Sequence, residues 1–105
     1  MKGLLIMAIT TFVTLKTKDG CFEEFYNLAK KELAFTRKSK GCKSILVSTN
    51  RETNTLKFVE FWDNEVSFSE YFGQRVERSG ADFERLLEGL PEIEHYTTQN
   101  WGYEH

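Results

Sequence analysis

The chain has 105 residues, of which 40% are apolar and 29% are charged, and its formal net charge at pH 7 is -2. This balance is typical of a globular protein and excludes an intrinsically disordered chain. The length allows one domain, which we expect to span residues 1–105 with a core from about residue 6 to residue 101.

Charge is distributed unevenly along the chain. Residues 1–57 hold 11 lysines and arginines against 5 acids, whereas residues 58–105 hold 3 against 11. The lysines are spread around a predicted helix and its loops and do not form a stripe on one surface. We therefore expect the two halves to neutralise each other, and we expect no nucleic-acid partner.

Neither the cysteines nor the apolar start of the chain predicts a secreted or membrane protein. Cys21 and Cys42 lie far apart and belong to no C-x-x-C motif, so we expect two reduced thiols in a cytoplasmic protein. The apolar segment at residues 4–6 is too short to cross a bilayer, and no membrane association is expected.

The chain order of predicted elements begins with a strand. Residues 6–15 are rich in β-branched side chains, with Ile9, Val13 and Leu15 on one face and Phe12 on the other. Apolar character on both faces predicts a strand that is covered on both sides.

A helix of about five turns is predicted to follow this strand. Asp19 is expected to cap its N-terminus, and Gly41 can take the left-handed conformation that stops a helix. One apolar face recurs at the helical period in Phe22, Phe25, Tyr26, Ala29 and Leu33.

A hairpin and a second helix come next. Residues 42–49 and 55–62 read as strands joined by a polar turn, which predicts antiparallel pairing. Either Asp63 or Asn64 is expected to cap the helix that follows, whose apolar residues include Phe68.

The second helix is expected to break at residues 79–80, because Gly80 interrupts the helical pattern and Ser79 can cap a short third helix. Pro91 stops that third helix, and residues 94–101 read as the last strand. The order β-α-β-β-α(α)-β predicts an α+β, ferredoxin-like split βαβ fold, with an antiparallel sheet and helices on one face. The uncovered sheet face is a physical reason to expect a homodimer.

Four groups of short segments carry a resemblance. They are Lys18-Asp19-Gly20 with Glu23-Glu24-Phe25, Thr36 with Lys40-Gly41-Cys42, Phe58-Val59-Glu60-Phe61-Trp62, and Phe68 with Tyr71-Phe72. Together they resemble the antibiotic biosynthesis monooxygenase (ABM) family of dimeric α/β barrels. The resemblance implies a pocket between the helices and the sheet of each subunit, and two sheets packed face to face.

The resemblance also implies a cofactor-independent monooxygenase that acts on a small electron-rich aromatic or quinol-like substrate. Such a protein supplies an apolar pocket, a base and hydrogen-bond donors, and needs no cofactor. The alternative is a non-catalytic dimer of the same fold that binds a small apolar or aromatic molecule. Heme degradation is not expected, because the Asn, Trp and axial His of that branch fall on Val13, Tyr71 and Ala81.

Tyr71 and Glu60 are the candidate catalytic residues. The Tyr71 phenol can orient a phenolic or quinone oxygen, or it can simply pack in the core. Glu60 shares one strand face with Trp62, and a carboxylate among apolar groups has a raised pKa and can act as a base. The alternative for Glu60 is a structural contact to backbone or arginine.

The residues expected to line the pocket are Val13, Trp62, Phe68 and Phe72. His95 can titrate near neutral pH, but alternation with acids predicts a solvated surface histidine. Glu94 and His95 point to opposite faces of a strand, so they cannot share a metal ion, and no metal is expected.

Overall fold

Residues 7–102 are described by the computed structural model, and they form four strands, two α-helices and one short 3₁₀-helix (Arg51–Thr53). The elements in chain order are β1 (Ile9–Lys16), α1 (Phe22–Arg37), β2 (Cys42–Asn50), β3 (Thr55–Trp62), α2 (Glu65–Leu86) and β4 (Glu92–Thr97). The sheet order is β2-β3-β1-β4, and each neighbouring pair is antiparallel. The α+β, ferredoxin-like fold predicted from the sequence is confirmed.

The core lies between the sheet and the two helices. On β1 the residues Ile9, Val13 and Leu15 are buried while Phe12 points to the opposite face, as the alternation predicts. On β3 the residues that face the helices are Leu56, Phe58, Glu60 and Trp62, all buried. Glu60 is therefore a carboxyl group placed in an otherwise apolar row.

Helix α1 begins at Phe22 without a side-chain cap. The predicted cap by Asp19 is wrong, because the Asp19 carboxylate instead accepts a hydrogen bond of 2.9 Å from Asn54 Nδ2 on the hairpin turn. Gly41 does adopt a left-handed conformation, with φ of 87°. It lies four residues beyond Arg37, the last residue of α1, and a side chain there would collide with Ser67 of α2.

Helix α2 is continuous, so the predicted break at residues 79–80 is wrong. Asn64 caps its N-terminus by accepting a hydrogen bond of 2.8 Å from the Ser67 backbone N–H. A glycine inside a helix costs about 1 kcal/mol relative to alanine. Burial of Leu86, which is 1% exposed, offsets that cost and keeps the last turns helical past Gly80.

Strand β4 ends earlier than the predicted residue 101. It pairs with β1 from Glu92 to Thr97, and Thr97 lies opposite Ile9, the first residue of β1. Within residues 7–102, Thr98 still bonds Ala8 and Thr10 but the ladder with β1 does not continue past Thr97, and Trp101 is 69% exposed. The predicted start of β1 at Ile6 lies outside the described residues.

The sheet face opposite the helices carries an apolar patch. Leu46, Val59 and Phe12 lie side by side on β2, β3 and β1. In the next row Phe61 and Tyr96 flank β1. We refer to these five side chains as the open-face patch. Within the described chain, neither helix lies on this face, and neither helix is long and apolar enough to cross a membrane.

Candidate functional site

A cavity lies between the two helices and the sheet. The volume open to the centre of a water molecule is about 60 Å³, which is enough for a few waters. Its apolar walls include Val13, Leu15, Phe25, Phe58, Phe68 and Phe72. Its polar groups come from Glu60 on β3, from Glu32 and Thr36 on α1, and from Tyr71, Arg75 and Ser79 on α2.

Glu60 is the carboxyl group that the sheet places in this cavity. Residues two apart on a strand share a face, so Trp62 Nε1 reaches Glu60 Oε1 and donates a hydrogen bond of 2.9 Å. Within residues 7–102, no donor bonds the second carboxyl oxygen. The free oxygen of Glu60 is therefore available to a ligand in the cavity.

Burial raises the pKa of Glu60 to about 7, although the hydrogen bond from Trp62 and the positive charge of Arg75 oppose the shift. A carboxyl group with this pKa changes its protonation state near neutral pH. It can accept a proton from a weakly acidic group and return it later in the same reaction.

Tyr71 lines the cavity, but its hydroxyl is held by protein groups. It lies 2.8 Å from Thr36 Oγ1 and accepts a hydrogen bond of 3.2 Å from Arg75 Nε. Burial raises the pKa of the Tyr71 phenol, so the group stays protonated. The ring of Tyr71 faces the cavity, while its oxygen belongs to a network between α1 and α2.

Arg75 is the centre of that network, although it was not among the site residues predicted from the sequence. The residue is 6% exposed. Besides the Tyr71 bond, Nη1 donates to Glu32 Oε1 at 3.0 Å and to Ser79 Oγ at 3.1 Å. Nη2 donates to the Glu32 carbonyl at 3.1 Å and to Thr36 Oγ1 at 2.9 Å. All five N–H donors of the guanidinium group are satisfied.

The sequence did contain a signal for this network. Tyr71, Arg75 and Ser79 recur every four residues, so they lie along one face of α2. Because a helix break was expected at Ser79, the three residues were not predicted to share one helix. In addition, an arginine on an apolar helix face is ordinarily interpreted as a solvated side chain.

Glu32 is the second carboxyl group at the cavity, and its environment differs from that of Glu60. The hydrogen bond from Arg78, assisted by Arg75, lowers the pKa of Glu32. The two carboxyl groups of one cavity are thus shifted in opposite directions. Such a separation is typical of sites that handle protons.

The structure brings most of the sequence-predicted site residues together. Glu60, Tyr71, Val13, Phe68 and Phe72 all line the cavity. The remaining predicted lining residue, Trp62, does not line the cavity. It is fully buried behind the carboxyl group of Glu60, with its ring 5.1 Å from that of Tyr71.

His95 is not a solvated surface residue, so that prediction was wrong. Its β4 position faces the helices, where Nδ1 lies 2.9 Å from Thr11 Oγ1 and the ring packs edge-on against Phe68 at 4.9 Å.

Cys21 and Cys42 are half-buried free thiols, and burial raises the pKa of Cys42. Among residues 7–102, no three His, Cys, Asp or Glu side chains are grouped as metal ligands.

Comparison with models of protein families identifies one family. The family model described as antibiotic biosynthesis monooxygenase matches residues 8–76. No curated protein is similar enough to count as a match.

Solved structures from several organisms share the fold. A conserved protein from Methanosarcina mazei Go1 has a TM-score of 0.75 and 23% identity, covering 94% of this chain and 100% of its own. A protein of unknown function from Nitrosomonas europaea has a TM-score of 0.79 and 16% identity, covering 96% and 98%. SnoaB, a cofactor-independent oxygenase from Streptomyces nogalater, has a TM-score of 0.76 and 16% identity, covering 93% and 99%.

Proposed function

The chain belongs to the antibiotic biosynthesis monooxygenase family, and from this premise we propose that it is a cofactor-independent monooxygenase. Its proposed substrate is a small, neutral, electron-rich aromatic or quinol-like molecule with a weakly acidic O–H group. The observation that carries the proposal is the Glu60 carboxyl group, which is buried in an apolar cavity with one oxygen fixed by Trp62.

In the proposed reaction Glu60 acts as the base. Its carboxylate takes the O–H proton of the substrate and leaves an electron-rich anion. A ring carbon of this anion then donates electrons to O₂ and forms the C–O bond of a peroxide. Glu60 returns its proton to the peroxide, and loss of water leaves a quinone. One oxygen atom enters the product, the other leaves as water, and O₂ is the oxidant.

The cavity walls support a neutral ligand. Apolar side chains from both helices and the sheet surround the carboxyl group of Glu60, and such walls favour an apolar molecule and O₂ over water. The N–H groups of Arg75 are all engaged by protein acceptors. Among the described lining residues, an aromatic carboxylate would therefore find no free guanidinium N–H group to bond.

Tyr71 has a more limited role in this proposal than the sequence predicts. Its hydroxyl is bonded to Thr36 and Arg75, so we assign substrate contact to its ring. SnoaB, the structural neighbour described as a cofactor-independent oxygenase, supports the reaction class at the level of the shared fold.

We also propose that the protein is a homodimer formed through the open-face patch. Leu46 is 66% exposed and Tyr96 is 53% exposed on this face, and burying them against a second copy is favourable. Sedimentation equilibrium of the wild-type chain and of L46E tests this. A dimer that L46E converts to a folded monomer is expected, and a wild-type monomer at micromolar concentration would contradict the proposal.

A second candidate function is the binding of a small apolar or aromatic molecule without catalysis. The engaged Tyr71 hydroxyl favours it, because the cavity then offers a ligand fewer free polar groups. The two functions differ in whether oxygen is consumed.

Oxygen-electrode measurements with a panel of naphthols, hydroquinones and anthrones separate them. We expect the wild-type chain to consume oxygen with at least one member and E60Q to lose most of the rate. E52Q is the matched control, because Glu52 lies on the exposed turn between β2 and β3. Saturable binding without oxygen consumption would favour the ligand-binding function.

A further inference from the structure

Arg75 joins the two helices at the polar end of the cavity. Its hydrogen bonds reach Glu32 and Thr36 on α1, and Tyr71 and Ser79 on α2. A fully bonded guanidinium fork is fixed in position, since moving it would leave several buried partners unsatisfied. The positive charge of Arg75 is therefore held at one place in the cavity wall.

The charges around Glu32 do not cancel. Glu32 Oε1 forms ion pairs with Arg75 at 3.0 Å and with Arg78 at 2.6 Å. One carboxylate thus faces two guanidinium groups, which leaves a net positive charge. Arg78 is about half exposed, so water screens its charge, whereas the Arg75 side chain is 7% exposed and is screened much less.

We propose that Arg75 is a positioning residue for Glu60: it clamps α1 to α2 and holds a fixed positive charge in the wall of the cavity that Glu60 lines. Both residues line the same cavity. A chain of contacts also links them. The Tyr71 hydroxyl is hydrogen-bonded to Arg75, and the Tyr71 ring packs on the ring of Trp62. The indole N–H of Trp62 in turn donates a hydrogen bond to Glu60. The importance of Glu60 ionisation rests on the proposed function, but the position of the charge does not.

Other titratable groups face Glu60 from the elements packed around it. His95 and Glu60 lie on either side of Thr11 in one row of the sheet. Within residues 7–102 these groups are Glu32 on α1, Tyr71 and Arg75 on α2, Cys42 on β2 and His95 on β4. Within this set Arg75 is the group whose positive charge stabilises the Glu60 carboxylate. Its removal should keep Glu60 protonated to higher pH.

A carboxyl ¹³C NMR titration of glutamate-labelled protein tests this directly, with the Glu60 signal assigned from E60Q. In R75Q, whose amide retains hydrogen-bonding capacity but carries no charge, the Glu60 midpoint should rise by roughly one pH unit. R75K restores a positive charge and should bring the midpoint back toward wild type. R78M is the matched control, one turn along α2 and bonded to the same Glu32, and should leave the midpoint nearly unchanged.

A folded R75Q with the wild-type Glu60 midpoint would overturn the proposal, as would R78M producing the larger shift. If R75Q does not fold, the double variant E32Q/R75M removes both partners of the buried pair, which is less destabilising than removing one. Its Glu60 midpoint should lie roughly one pH unit above that of E32Q, from which it differs only at Arg75, and equal midpoints of these two variants would also overturn the proposal. The titration requires no substrate, so its result is independent of whether the chain consumes oxygen.

Discussion

Trp62 Nε1 donates a hydrogen bond of 2.9 Å to Glu60 Oε1, and both side chains are buried on the helix-facing side of β3. The pair follows from strand geometry, because residues two apart share a face. The indole N–H stabilises the carboxylate, while burial stabilises the neutral acid. The same contact makes Trp62 an intrinsic reporter of Glu60 ionisation.

The fluorescence of Trp62 should titrate with a midpoint near pH 7, the pKa of Glu60. The measurement is made in a W101F background, because Trp101 is 69% exposed and would contribute its own signal. Deprotonation of Glu60 places a negative charge on the bonding partner of the indole. In E60Q the transition near pH 7 should disappear, and its persistence would assign the transition to another group.

Glu60 should make the stability of the fold depend on pH. Its pKa is raised from 4.5 to about 7, so folding favours the protonated form. The stabilisation is fully present below about pH 4.5 and is lost as the pH rises through 7. The loss amounts to about 3 kcal/mol.

Urea unfolding of wild type and E60Q at several pH values measures this contribution. E60Q lacks the ionisation, so its stability relative to wild type should increase between pH 5 and pH 8. A constant difference over that range would show that Glu60 is not the group responsible.

Replacing Tyr71 by phenylalanine should destabilise the protein by about 2 kcal/mol, because the change leaves the buried Arg75 Nε–H without an acceptor and removes one of the two hydrogen bonds of Thr36 Oγ1. Chemical denaturation measures the loss. Y96F is the matched control, since the Tyr96 hydroxyl bonds Glu94 on the other face of the sheet and takes no part in the network between α1 and α2. Equal stabilities of Y71F and Y96F would contradict the role assigned to the Tyr71 hydroxyl.

Gly80 to alanine should stabilise the protein by about 1 kcal/mol, because α2 is helical at this position and the nearest atom to an added Cβ is Val76 Cγ1 at 3.8 Å. Gly20 to alanine should destabilise it, because Gly20 has φ of 79°. Thermal unfolding measures the change in melting temperature of the two variants. A lower melting temperature for G80A would indicate a helix broken at residues 79–80 and would contradict a continuous α2.

The sequence predicted the fold well because local periodicity dominates it. Strand β3 was predicted with its observed bounds, since each alternate residue from Leu56 to Trp62 faces the core. The break at Gly80 was predicted wrongly, because tertiary burial of Leu86 outweighs a local glycine preference. Local signals also could not locate β4's end, which depends on where β1 begins.

The site was only partly predictable for a related reason. Glu60 and Tyr71 were identified from their strand and helix positions, and the structure places both at one cavity. Arg75 was missed, because its burial depends on acceptors from α1 that are 39 to 43 residues away in sequence. His95 was interpreted as solvated for the same reason, since Phe68 covers it from a different element.

The central claim is that Glu60 acts as the base of an oxygen-consuming reaction, and the pH dependence of oxygen consumption tests it most directly. With an active aromatic substrate, the wild-type rate at low substrate concentration should rise through an apparent pKa near 7. E60Q should show a rate lower by about 10² or more, without that transition. A folded E60Q with the wild-type rate and pH profile would contradict the claim.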